Sequence, residues 1–235
     1  MPDLILELID VHAAYGRIEV LRGVTFAVPR GSVVALLGPN GAGKTTTMNA
    51  ICGLMPLTKG HIHLSGMHLD KVGADELARA GMCTIPEGRG IFPNLTVREN
   101  LRLVAYSGVG EDAVFDKAFS TFPRLKERAG QLAGTMSGGE QQMLAMSRAL
   151  ATSPALLLLD ELSMGLAPLI VEDLYDSVAK IAEGGTSVLL VEQFAQTALR
   201  VAEYAVVMQN GRITAVGEPG DVEEALSAAY LGGAA

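Results

Sequence analysis

The chain has only two cysteines, Cys52 and Cys83, in 235 residues. A disulfide framework needs more of them in a shorter chain, so the pair suits a reducing compartment. Basic residues are also scarce: 18 Lys and Arg stand against 26 Asp and Glu, a formal net charge of -8. Phosphate backbones are held by clustered cations, so this balance argues against a nucleic-acid partner while leaving room for one local basic site. No apolar run approaches the ~20 residues of a membrane span, because Gly, Pro or charge breaks each one. No basic-then-apolar leader opens the sequence. The expectation is a cytosolic globular protein whose membrane role, if it has one, comes through a partner. Apolar residues are plentiful: 49% of the chain is hydrophobic, enough for a large core and too much for disorder.

Short apolar runs recur at Leu4–Ile9, Val33–Leu37, Met82–Ile85, Ala155–Leu159, Ser187–Val191 and Ala205–Met208. Several are too far apart for hairpins and have helical patterns between them, which predicts an α/β fold with a mostly parallel core. Val20–Val28 and the alternating "HIHLSG" read instead as antiparallel strands, an extra β-layer. From about Thr96 to Thr152 no strand pattern occurs. Thr96 with Glu99, and Ser137 with Glu140, form capping boxes, and Met143, Met146 and Leu150 share a helical face. The division expected is one domain, with a core and β-layer over 1–86 and 153–235 interrupted by a helical subdomain over 87–152.

"GPNGAGKTT", Gly38 to Thr46, matches G-x-x-x-x-G-K-[ST] directly after an apolar run and before a helix pattern. That context turns the pattern into a phosphate site. Glycines let backbone N–H groups curl around phosphate oxygens, Lys44 reaches the outer phosphates and the Thr45 hydroxyl can ligate Mg²⁺. A chance match in this length is roughly a one-per-cent event. "ALLLLDEL" ends at Asp160-Glu161, and a buried parallel strand presents ligand-binding groups at its C-terminal edge. Asp160 would serve the Mg²⁺ of a nucleotide and Glu161 would take a proton from attacking water. The bland alternative, two carboxylates capping a strand in solvent, is poor beside Gly38–Thr46.

"MSGGEQQ", Met136 to Gln142, together with those two elements, resembles the signature of ABC-transporter ATPases, usually written LSGGQ. The resemblance covers essentially the whole chain in the family's order. It implies a P-loop NTPase (RecA-like) core with an antiparallel β-layer and an inserted α-helical subdomain. Tyr15 sits where an aromatic stacks on adenine, and Gly38, Pro39, Asn40, Gly41, Ala42, Gly43, Lys44, Thr45 and Thr46 form the nucleotide loop. "IPEGRGIFPNLTVREN" stands at the Q-loop with Glu87 at its sensing position, "SMGLAP" (Ser163–Pro168) resembles the D-loop, and Gln193 occupies the switch position. In the family two such domains dimerise head to tail, so Ser137, Gly138, Gly139 and Glu140 would cap ATP on the partner. A helix start of this kind aims bare N–H groups at an anion. Within the family, "PEGRGIFPNLTVREN", "GLAPLIVEDL", "LLVEQ" and "AAYLGG" look most like the smaller ATPase of branched-chain amino-acid uptake systems. The partners so implied are a second ABC ATPase subunit (in a homo- or heterodimer), two membrane permease subunits and, indirectly, an extracytoplasmic substrate-binding protein. The cofactors implied are ATP and Mg²⁺, and the location is the inner face of the cell membrane.

Three positions depart from the family pattern. Glu87 replaces a glutamine: a carboxylate is a better metal ligand but repels triphosphate unless Mg²⁺ or Arg89 offsets it, and a solvated acid on a loop is the other reading. Leu162 replaces a proline after Glu161, which should leave the start of the D-loop freer. Gln193 replaces the switch histidine; an amide can orient water but cannot take a proton, so Glu161 must carry the base chemistry. Phe194 beside it is expected to pack. His61, His63 and His68 are read as solvent-facing, not as a metal site. Ile91-Phe92 stays open between a permease-receiving groove and core packing, Cys52 reads as a small buried residue, and "GDVEEAL" as a solvated helix face. Other classes fit less well. Soluble ABC proteins acting on DNA or ribosomes carry coiled-coil insertions or two fused units, and a GTPase would show N-K-x-D. A regulatory subunit that scarcely hydrolyses ATP is opposed by Glu161 and Ser137-Gly138-Gly139.

Overall fold

The chain opens on a long antiparallel hairpin, β1 (Leu4–Tyr15) and β2 (Ile18–Pro29), in a computed structural model that describes residues 3–69, 72–88 and 90–231. β3 (Val33–Leu37) leads through the glycine loop into α1 (Lys44–Ile51). Next come β4 (Lys59–Leu64), the short β5 (Met67–His68), α2 (Ala74–Arg79) and β6 (Met82–Ile85). A purely helical stretch follows: α3 (Val97–Ala105), α4 (Glu111–Thr121), α5 (Pro123–Glu127) and α6 (Gly138–Leu150). The chain then returns as β7 (Leu156–Asp160), α7 (Pro168–Glu183), β8 (Ser187–Glu192) and α8 (Ala195–Leu199). It closes with β9 (Tyr204–Gln209), β10 (Arg212–Gly217) and α9 (Glu223–Leu231).

Two sheets result. One has the order β2-β1-β4-β5 and is antiparallel; the other has the order β10-β9-β3-β8-β7-β6 and is parallel except for the edge strand β10. The inner parallel strands are buried on both faces, which is why their sequences are unbroken apolar runs. Alternation along each strand feeds two cores. Val33, Ala35, Leu37, Leu157, Leu159, Val188 and Leu190 pack toward the helical side. Val34, Leu36, Leu156, Leu158, Leu189 and Val191 pack toward α1 and the antiparallel sheet. This is the α/β P-loop NTPase architecture with a β-layer and an inserted helical region. Leu4–Ile9 had been grouped with the parallel core, and that is corrected: the run pairs antiparallel with β2 and β4. Ile5, Leu6 and Leu8 are buried while Ile9 is exposed.

Both capping boxes form as the sequence predicts, Thr96 with Glu99 at α3 and Ser137 with Glu140 at α6. They satisfy N–H groups that would otherwise be orphaned at the helix starts. No helix among the described residues is long and apolar enough to cross a membrane.

Candidate functional site

The phosphate loop hangs between the C-terminal end of β3 and the start of α1. Gly43 turns the chain at φ +110°, a conformation closed to side chains. Lys44 is almost fully buried and lays its ammonium on the loop's own carbonyls, 2.8 Å from Gly38 O and 3.3 Å from Pro39 O. Burial pulls the Lys44 pKa down, while Glu161, Asp160 and Glu192 pull it back up. Thr45 is exposed and Thr46 buried. Thr47, which the motif does not mark, donates to Gly43 O at 3.0 Å and ties the loop to the helix. Asn40, Gly41, Gly43, Lys44, Thr45, Thr46, Val20 and Glu161 line a single cavity. The loop and the proposed base therefore face the same space. Tyr15 ends β1 at the hairpin whose second strand supplies Val20, and its ring is more than half exposed.

Asp160 closes β7 and Glu161 follows with φ +49°, a strained value for a residue with a side chain. The Glu161 N–H donates to Val191 O at 2.9 Å, which fixes that turn against β8. Asp160 is buried, and its Oδ1 has no hydrogen-bond partner. Burial pushes its pKa up to about 6, and the Glu161 and Glu87 charges push the same way against Lys44. An orphaned buried carboxylate oxygen, crowded by two further carboxylates, fits a hard divalent cation. No three His, Cys, Asp or Glu side chains among the described residues form a ready-made metal cage.

The end of β8 holds a group that sequence reasoning passed over. Glu192 is 1% exposed and accepts three hydrogen bonds: from Ser163 N (2.9 Å), Ser163 Oγ (2.9 Å) and Tyr175 Oη (2.7 Å). Gln193 follows, half-buried, and its carbonyl accepts a bond from the Tyr230 hydroxyl of α9. Phe194 does not pack: it is 60% exposed at the junction between β8 and α8, which corrects the expectation. Leu162 follows Glu161 at the start of the D-loop. Its side chain is buried, its carbonyl accepts from Gln142, and the next residue is held by Glu192. A carboxylate at the end of an apolar run was the one signal available for Glu192.

At the signature, Ser137 caps α6 and its N–H and hydroxyl both bond to Glu140 Oε2. Glu140 Oε1 pairs with Arg128 at 2.6 Å. Glu140 is thus turned inward as part of the cap. Gly139 has a packing reason to be glycine, since a Cβ there would lie 2.2 Å from Ile170 Cγ2. At the Q-loop, Glu87 is exposed, and Arg89 lies outside the described residues. Arg148 of α6 donates to Gly90 O and lies over the Phe92 ring at 5.0 Å. Asn100, fully buried and unmarked by any motif, holds both the N–H and the carbonyl of Phe92. Ile91 packs on the core, as one of the two readings expected, while Phe92 is half-exposed. His61 and His68 are exposed, and their rings contact each other and His63 without a metal-holding arrangement. Burial pushes the Cys52 and Cys83 thiols up, away from nucleophilic character.

A family model described as ABC transporter matches residues 21–163. The chain is 44% identical, over 86% of its length and 88% of the relative's, to the high-affinity branched-chain amino acid transport ATP-binding protein BraG of Pseudomonas aeruginosa. It is 33% identical, over 93% of its length and 94% of the relative's, to the probable branched-chain amino acid transport ATP-binding protein LivF of Archaeoglobus fulgidus. Among solved structures, the ADP conformation of an ATP-binding cassette of an ABC transporter superposes with a TM-score of 0.87 at 26% identity. That match covers 97% of this chain and 99% of the other.

Proposed function

The chain belongs to the ABC transporter family as an ATP-binding subunit, and on that premise we propose that it binds and hydrolyses ATP to drive uptake of branched-chain amino acids. The observation that carries the hydrolytic reading is the single cavity shared by the phosphate loop and Glu161, with the unpartnered Asp160 oxygen at the adjoining strand end. The substrate reading rests on similarity to BraG and LivF.

Backbone N–H groups of Gly38–Thr46 and the start of α1 bind the phosphates, and Lys44 transfers its ammonium from the loop carbonyls to them. Tyr15 stacks on the base. Thr45 and Asp160, with Glu87 nearby, would hold Mg²⁺, which when bound neutralises phosphate charge. Glu161 takes the proton of the attacking water. Gln193 orients that water through its amide and moves no proton. Ser137, Gly138 and Gly139, with Glu140 bracing the loop from within, cap the nucleotide of a second ATPase subunit. Two permease subunits place the pair at the inner face of the membrane, and an extracytoplasmic binding protein delivers the substrate.

The test is reconstitution in liposomes with candidate permease subunits and a branched-chain amino-acid binding protein. ATP- and Mg²⁺-dependent accumulation of labelled leucine or isoleucine is expected. ATP hydrolysis without leucine, isoleucine or valine transport would remove the substrate assignment. Absence of hydrolysis in the assembled complex would remove the ATPase reading itself.

A further inference from the structure

A fully buried carboxylate is costly unless it is saturated with donors. Glu192 is saturated, and all three of its donors come from the segment that flanks the D-loop. Ser163 starts that loop. Tyr175 lies about two turns into α7, the helix that ends it. One carboxylate therefore ties the loop's first residue to the helix that follows the loop. It also completes a set of attachments around Glu161: Asp160 pairs with Val191 in the sheet, the Glu161 N–H bonds to Val191 O, and Ser163 bonds to the next residue of β8. The strained φ of Glu161 lies between these fixed points. Strain of that kind persists only where the surroundings over-determine it.

We propose that Glu192 is a positioning residue for hydrolysis: its carboxylate locks the D-loop to the strand end that carries Gln193. Glu161, Ser163 and Gln193 then keep one fixed geometry. The proposal rests on the ATPase reading above. Glu192 itself touches neither substrate nor the reacting atoms. Its negative charge also acts on Lys44 and Asp160, which places the clamp within electrostatic reach of the site.

The test compares Glu192→Met, Glu192→Gln and Tyr175→Phe with the wild type in the assembled complex. Glutamine can keep all three contacts, since its oxygen accepts from Ser163 N and Tyr175 while its amide donates to the Ser163 hydroxyl. Glu192→Met and Tyr175→Phe should each lower kcat about tenfold or more with KM for ATP within about twofold, and Glu192→Gln should restore most of the loss. Hydrogen exchange at the Ser163 amide should accelerate in the first two variants and stay slow in the third. Should Glu192→Met fail to fold, Tyr175→Phe, which deletes one hydroxyl, decides. Wild-type kcat in folded Tyr175→Phe overturns the proposal, as does a loss that simply follows the folded fraction. If the wild type hydrolyses no ATP, the ATPase reading fails instead, and unchanged exchange at Ser163 would then remove the clamp as well.

Discussion

The phosphate loop and Glu161 line one cavity, but the loop and the paired strand ends of β7 and β8 behind Glu161 are assembled in different ways. The loop is written in consecutive residues, and its bonds close over a few positions, Lys44 to Gly38 and Thr47 to Gly43. The strand ends are assembled across the chain. Ser163 and Tyr175 meet Glu192 over 29 and 17 positions, and Tyr230 meets Gln193 over 37. A local site can be recognised as a motif because its geometry follows from the order of its residues. A long-range site exists only once the sheet has brought its members together. The first should govern whether nucleotide binds, and the second whether it reacts.

The sharpest way to break that division is Glu161→Gln. It keeps the side chain's shape but removes the base, so ATP binding should persist while kcat falls about 10²–10⁴-fold. Closed dimers should then accumulate with ATP, visible by size-exclusion chromatography. Unchanged turnover would remove the base assignment. The converse is Lys44→Ala, which takes a charged hydrogen-bond donor from the phosphates and should weaken ATP binding about tenfold to a hundredfold. Fluorescent-nucleotide titration reads this directly, and wild-type affinity would show that the loop's N–H groups suffice alone.

The same division explains what could be read in advance. Gly38–Thr46, both capping boxes and the doubly buried strands were legible, because each depends on neighbours in sequence or on a simple period. Glu192 and Tyr230 were not, since each acts on a partner that only the fold supplies. Leu4–Ile9 was misgrouped because a short apolar run does not reveal which sheet it joins. Phe194 was misread because a large apolar side chain is normally buried, whereas here it sits exposed at the junction between β8 and α8.

A smaller effect sharpens the comparison inside the long-range site. Gln193→Ala removes an orienting amide but no proton acceptor, so kcat should fall about tenfold, less than for Glu161→Gln, with KM for ATP unchanged. Steady-state kinetics of the two variants side by side decide it. A loss as large as that of Glu161→Gln would mean that the amide does more than position.

The smallest effect concerns a third way of building a site, the signature loop, which combines a local cap with one long-range ion pair. Burial pushes the Glu140 carboxyl up, but bonds from the Ser137 N–H and hydroxyl, with the Arg128 and Arg124 charges, outweigh it and hold the pKa below the ordinary value of 4.5. A carboxyl depressed in the folded state favours folding at every pH above its unfolded value. That advantage disappears as pH falls through the folded value, when both states are protonated. Glu140→Gln should therefore lower Tm by about 3 °C at pH 7, and the gap to wild type should close below pH 4.5. Thermal unfolding of both proteins between pH 3 and 7 gives the curve. A gap independent of pH would mean that Glu140 stabilises the loop through its shape, and that its charge, paired with Arg128 beside the start of α6, contributes nothing to holding Ser137 in place.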